Sequence, residues 1–237
     1  WGGLVLCGKA VNNQGLDAQL EGFNNVAVDN TLGKFGGSDD ADNSGVVKYV
    51  RIEFAGLAFE PNKEVNSLTM GSVGSKTEIE GVQCSFGNDD AFEWFGGTVN
   101  CKKLIAYKTT DDDFDTDFGY RGMVQFGIAV KDTAYFDLSW NAPSGSSTSE
   151  TFESDNDAAG SGKLPLTSAV FSNITCAKPW VVISVINAVK NEVMYLSQIN
   201  TKMKKLILII LLLLGVLPIA LKAQGPKVSG VVRDDNG

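Results

Sequence analysis

The chain has 237 residues, with 26 glycines, 6 prolines, a formal net charge of −8 and no histidine. The missing imidazole excludes Ser-His-Asp and Cys-His nucleophile systems and HExxH zinc sites. Residues 1–176 carry 25 acidic and 12 basic side chains, a net of −13, and residues 177–237 carry 3 and 8, a net of +5; an acidic body without a basic patch argues against nucleic acid as a partner and suits cations or neutral glycans.

In chain order, the opening WGGLVL is already strand-like and lacks an initiator methionine, which points to an earlier N-terminal portion. Residues 12–30 read as a loop-rich excursion. Residues 36–45, GGSDDADNSG, form a turn cluster in which Asp39, Asp40 and Asp42 read as a solvated acidic turn, with cation binding as the alternative. Residues 46–56, VVKYVRIEFAG, alternate cleanly and put Val50, Ile52 and Phe54 on one face, Arg51 and Glu53 on the other.

Residues 81–120 contain one pattern twice: an alternating apolar run, an acidic cluster, an aromatic beside an acid, then glycine. Val82 to Leu104 and Phe92 to Phe114 are both offsets of 22. A fixed period of this size, built on strand alternation, is the signature of a β-solenoid. Residues 46–56 read as an earlier copy and residues 123–130 as a later one, so Val50, Val82, Leu104 and Val124 are expected to stack as one inward column of parallel strands. Lys108 falls where Phe86 would point inward, which predicts a local drift of register. Residues 141–163 read as a long loop holding a third aromatic–acid pair, Phe152-Glu153, and residues 166–176 as the last strand.

The acids of this repeat carry the chemistry. Asp113, Asp115 and Asp117 lie at i, i+2 and i+4, on one face of a strand, with Phe114 and Phe118 turned the other way. Stacking brings Glu93 above Asp115 at one strand spacing, about 4.8 Å. Like charges that close raise their pKa values or recruit a cation, and hard oxygen ligands without histidine favour Ca²⁺. An EF-hand fails, because its glycine position is Phe118 and its final glutamate position is Val124. The expected cation ligands are Glu93, Asp111, Asp112, Asp113, Asp115, Asp117 and Asp155, converging on one edge. Trp94, Phe95, Tyr120 and Arg121 are the expected ligand-binding residues, with a stacked core as the alternative for the aromatics. The four cysteines have no CxxC spacing; a Cys84–Cys101 disulfide competes with buried free thiols.

WGGLVLCGKA, YVRIEFAG, GNDDAFEWFGGTVN, TTDDDFDTDFGY and FESDNDAAGSG, in that order, resemble a largely uncharacterised family of exported Bacteroidota proteins, often described as lipoproteins or surface proteins. The resemblance covers about residues 1–176 and implies an all-β, right-handed parallel β-helix, exported to the outer membrane, cell surface or medium; it supplies no catalytic residues. Residues 177–202 match nothing in that pattern and form an unassigned junction. From Met203, a basic start, the apolar run 206–220 and the small residue Ala223 make a secretory signal peptide pattern. The run is shorter than the about 20 residues a membrane span needs, which leaves a membrane anchor as the alternative. The final VSGVVRDDNG resembles the opening strand of the β-sandwich that starts TonB-linked outer-membrane transporters of the SusC/RagA type. The chain therefore reads as a composite: a β-helix fragment over 1–176, the junction 177–202, a signal-peptide-like apolar segment over 203–223 with a helix over 206–220, and the start of a truncated β-sandwich over 224–237.

Three function classes follow. The first is a non-catalytic exported β-helix, Ca²⁺-stabilised and glycan-binding, touching a membrane only through residues 206–220 if they stay uncleaved. The second is a β-helix polysaccharide lyase or hydrolase with Ca²⁺ on the acidic rungs, Arg121 or Lys108 as base or charge stabiliser, and Asp113 with Asp115 as an acid pair. The third, from the C-terminal piece alone, is a fragment of a TonB-dependent nutrient-uptake protein. The first reading is favoured, because a fold by itself does not make an enzyme.

Overall fold

The structure is a computed structural model describing residues 1–21, 23, 31–56, 65–132, 135 and 149–177. All of them belong to the unit Trp1–Pro179; the unit Trp180–Gly237, with the expected apolar helix and truncated sandwich, lies outside the described residues. Most of the 177–202 junction lies outside them too. Among the described residues no helix is long and apolar enough to cross a membrane.

Twelve strands build the described part: β1 Leu4–Cys7, β2 Ala18–Gln19, β3 Lys34–Phe35, β4 Val46–Glu53, β5 Leu68–Gly71, β6 Glu78–Ser85, β7 Phe92–Phe95, β8 Asn100–Tyr107, β9 Phe114–Asp117, β10 Met123–Val130, β11 Phe152–Ser154 and β12 Val170–Ala177. Short and long strands alternate along the chain and sort into two five-stranded sheets, β1-β5-β7-β9-β11 and β4-β6-β8-β10-β12. Every pairing within these two sheets is parallel. Each rung thus contributes one strand to each sheet, and the protein is a parallel β-helix. Between β1 and β4 the first rung is interrupted by an excursion over residues 8–45 that holds the antiparallel pair β2–β3.

Three apolar columns run through the long-strand sheet. Val47, Ile79, Cys101, Val124 and Phe171 are successive register partners, as are Ile52, Cys84, Ala106, Ala129 and Cys176. The middle column starts at Val50 and Val82 and passes through Leu104, Gly127 and Ile174. The expected column is therefore corrected at its end: Val124 lies over Cys101, and Gly127 faces Leu104. The step from β8 to β10 is 23 residues along these partners rather than 20, so the sequence offset from Leu104 to Val124 misaligned the rung. Gly127 suits its place, since a Cβ there would sit 2.7 Å from Ile174 Cδ1 and 3.2 Å from Phe114 Cζ.

The long strands do not alternate uniformly, and the backbone explains why. Tyr49, Gly81, Lys103, Phe126 and Asn173 occupy equivalent places and all have left-handed φ, between 54° and 68°. A left-handed residue breaks the period of two, so Val47 and Val50 both point inward across Tyr49. Gly81 meets this conformation without steric cost and Asn173 at little; Tyr49, Lys103 and Phe126 each give up about 1–2 kcal/mol, which the stacking of neighbouring rungs offsets. A second corner at Phe54, Phe86 and Lys108 is also left-handed, with φ of 56°, 54° and 54°. Phe54 is consequently 64% exposed rather than inward with Val50 and Ile52. Lys108 follows Phe86 in the same corner without register drift, and the Phe54 and Phe86 rings stack at 5.3 Å.

In the short-strand sheet, Leu68, Phe92, Phe114 and Phe152 are register partners, and the three rings stack at 5.8 and 5.5 Å. The segment read as a loop over 141–163 therefore contributes a strand, β11. Phe118 departs from the expectation: its left-handed φ of 52° turns it away from Phe114, onto Phe35 and Phe95 of a second cluster with Leu20. This cluster seats the 8–45 excursion on the helix. Arg121 pins it further, reaching Asp40 at 3.0 Å and the Val11 carbonyl at 3.4 Å.

Candidate functional site

The short-strand sheet presents its acids from one face. Thr69, Glu93, Asp115 and Glu153 are successive register partners, each one residue beyond the stacked apolar column. A carboxylate oxygen from each of Asp90, Glu93 and Asp115 lies within 4.8 Å of the other two, and Asp89, Asp90 and Asp111 form a second such group. Asp90, which belongs to both, precedes β7 and accepts a hydrogen bond from the Asp112 amide at 2.8 Å. Glu93 accepts from Asn66 Nδ2. No lysine or arginine among the described residues stands within ion-pair distance of Asp90, Glu93 or Asp115.

Burial and mutual repulsion act on these groups in the same direction. Desolvation, reinforced by Asp89, Asp115 and Asp111, pushes the Asp90 carboxyl well above the usual range. Glu93 is raised well above its ordinary value by burial first, then by Glu21 and Asp115. Asp115 is pushed up to about 7, chiefly by burial. Asp112 rises to about 9 through burial and a carboxyl pairing with Glu153, and Asp117 to about 8 through burial and a pairing with Asp155. Such groups hold protons or a cation, because bare neighbouring carboxylates in a poorly solvated place repel strongly.

The expected ligands therefore divide. Glu93, Asp115 and Asp111 enter the two groups; Asp112 and Asp117 pair with Glu153 and Asp155 beside them. Asp113 is a correction. It lies outside β9, is fully buried, and its Oδ1 takes Thr109 Oγ1 at 3.3 Å and Lys131 Nζ at 3.5 Å, so it does not share a face with Asp115. Its carboxyl rises to about 6 because burial outweighs the pull of Lys131. Asp90 is the ligand candidate that sequence reasoning passed over. The signal was present, since Asp90 precedes Asp112 by the same 22 residues as Phe92 precedes Phe114.

The expected ligand-binding aromatics are also corrected. Trp94 and Tyr120 are fully buried with rings stacked at 5.4 Å, and Phe95 is buried against Phe118. None presents a face on which a sugar can stack. Arg121 is held by Asp40, Lys108 by Asp132 at 2.8 Å and Lys103 by Glu80, so these cations are committed away from the acids. In the 36–45 turn, Asp39 accepts the Ala41 amide and Asp42 the Ser44 hydroxyl, as turn-forming acids do. Of the two readings of the cysteines, buried free thiols hold for Cys84 and Cys101: all four cysteines are free, and these two are buried in different columns.

A calcium ion fits the donors present. They are hard oxygens, and the buried Thr69 hydroxyl, which shares the face of its register partner Glu93, makes no hydrogen bond to any described group. A family model described as a pectate-lyase like beta helix domain matches residues 1–195. No curated protein and no solved structure matches.

Proposed function

The chain belongs to the family of pectate-lyase-like β-helix domains, and from that premise we propose that it is a non-catalytic, exported β-helix whose acidic face is stabilised by Ca²⁺. The observation that carries this reading is the approach of Asp90, Glu93 and Asp115 within 4.8 Å without a cationic partner among the described residues. These three would hold the ion, with Asp111 and the Thr69 hydroxyl beside them, and the ion would supply the positive charge that lets the carboxylates stay ionised. A cell-surface glycan is the proposed partner, met through the acidic face rather than by ring stacking, and the proposed location is the outer membrane, cell surface or medium.

The catalytic alternative has less support. Its proposed acid pair is split, with Asp113 bound to Lys131 and Asp115 facing Glu93. Arg121 and Lys108 are tied to other acids.

Isothermal titration of the full chain with CaCl₂ after EDTA dialysis tests the reading. Saturable binding is expected, weakened at least about tenfold in Asp115→Asn, a loss of roughly 1.4 kcal/mol or more. Absence of saturable binding, or identical affinity in Asp115→Asn, rejects it. A melting curve for each variant separates lost binding from lost folding.

A further inference from the structure

Against the acidity of this protein, one open surface hollow brings two lysines together with a single acid. It has a volume of about 530 Å³ and is lined by Lys9, Asp17, Thr31 and Lys34, where the first turn of the excursion meets β3. Several cations elsewhere are committed to carboxylates: Lys103 to Glu80, Lys108 to Asp132, Arg121 to Asp40 and Lys131 to Asp113. Lys9 and Lys34 hold no carboxylate among the described residues. Lys34 Nζ is steered instead by the Asp17 backbone carbonyl at 3.3 Å, where a left-handed φ of 54° turns the chain.

The walls are fixed by backbone bonds. Gly36 donates to the Gly8 carbonyl at 3.0 Å, Asp39 to the Lys9 carbonyl at 2.9 Å, and β3 pairs with β2. Gly37 closes against Lys9, with space for no Cβ: one would lie 2.4 Å from the Lys9 carbonyl oxygen. Two lysines on separate, mutually bonded segments thus line one hollow.

We propose that this cavity binds a small oxyanion, a carboxylate or sulfate group, between Lys9 and Lys34. Charge-assisted hydrogen bonds from both ammonium groups would hold it, and Thr31 and Asp17 line the remainder. The ligand is small because a long polyanion would be repelled by the acidic body around it.

The test is equilibrium dialysis of the full chain against radiolabelled inorganic sulfate and, separately, labelled acetate, at low ionic strength where screening is weak. Saturable binding at one site per chain is expected, reduced at least about tenfold in Lys34→Gln and in Lys9→Gln, and unchanged in the exposed Lys102→Gln. Binding of both anions assigns carboxylates and sulfates; binding of sulfate alone assigns doubly charged tetrahedral anions. The proposal is overturned if neither anion saturates, or if both substitutions leave binding unchanged. Lys9 and Lys34 stand on different segments, so a folding defect in one variant leaves the other decisive.

Discussion

Glu93 and Asp115 face each other as register partners on adjacent rungs, and their carboxyl groups share a hydrogen bond. A proton or a cation must sit in such a contact, and that sets how stability depends on pH. Asp90, Glu93 and Asp115 all have carboxyls raised by burial, Asp115 to about 7, against about 4 in the unfolded chain. A raised folded value means the native state binds these protons more tightly. Their contribution is fully present below about pH 4 and drains away as pH climbs through about 7. In EDTA, the melting temperature is therefore expected to fall between pH 5 and pH 8, by on the order of 5 °C. Calcium should remove most of that fall, and less of it in Asp115→Asn. A melting temperature that rises over this range in EDTA contradicts the assignment.

Thiol chemistry checks the core columns. Burial pushes Cys101 up to about 12 and Cys84 well above its usual value, whereas Cys7 and Cys176 are exposed. Thiolate is the reactive form, so native protein should be alkylated at Cys7 and Cys176 only, with Cys7 slowed because partial burial raises its thiol pKa. Cys84 and Cys101 should react after denaturation without reductant, as read by mass spectrometry. A Cys84–Cys101 disulfide would leave both unmodified under those conditions.

Much of the rung architecture was legible because strand alternation and the 22-residue offset act at the same positions. Phe92 over Phe114 and Glu93 over Asp115 follow from that arithmetic alone. What escaped was the corner geometry. Tyr49, Phe54, Lys103 and Phe126 look like ordinary strand residues, and their left-handed φ comes from the stacking of neighbouring corners rather than from their own preferences. The inward placement of Phe54 failed for that reason. Trp94 was ambiguous for another, because an aromatic beside an acid in a strand says nothing about which of the two is turned outward until the rung is closed; Tyr120, in the turn after β9, has no strand alternation to orient it. The partner of Asp113 was hidden as well, since Lys131 lies 18 residues away in the next rung.

Two glycines separate steric need from conformational need. Gly97 has φ of +87° and a Cβ there would meet the Val73 carbonyl oxygen at 2.5 Å, on backbone that cannot yield. Gly160 has φ of +60° with open space around it. Gly97→Ala is expected to cost more than about 3 kcal/mol, as overpacking adds to strain, and Gly160→Ala about 1 kcal/mol. Urea denaturation of both variants measures the difference. Equal losses would show that the close approach of Gly97 to Val73 is not a constraint.

Asp113 and Lys131 tie one rung to the next from within. Asp113 is fully buried and the Lys131 side chain is 14% exposed, with 3.5 Å between Nζ and Oδ1. Lys131 also donates to the Asp111 carbonyl, so its loss opens two contacts at the edge of the acidic face. Lys131→Met leaves an uncompensated buried acid, and removal of one partner of such a pair costs about 3–5 kcal/mol. The Asp113 carboxyl, already raised to about 6 with its partner present, should then rise further, making the variant markedly more stable at pH 5 than at pH 8. Asp113→Asn keeps the hydrogen bond from Thr109 and removes the charge that needs compensation. The double variant should therefore recover a large part of the loss, since replacing both members of a buried ion pair is often close to neutral. Urea denaturation of the two single variants and the double, at both pH values, reads the coupling directly. If the losses simply add, Asp113 and Lys131 are not a coupled pair, and the hydroxyls of Thr109 and Thr151 hold the Asp113 carboxyl instead.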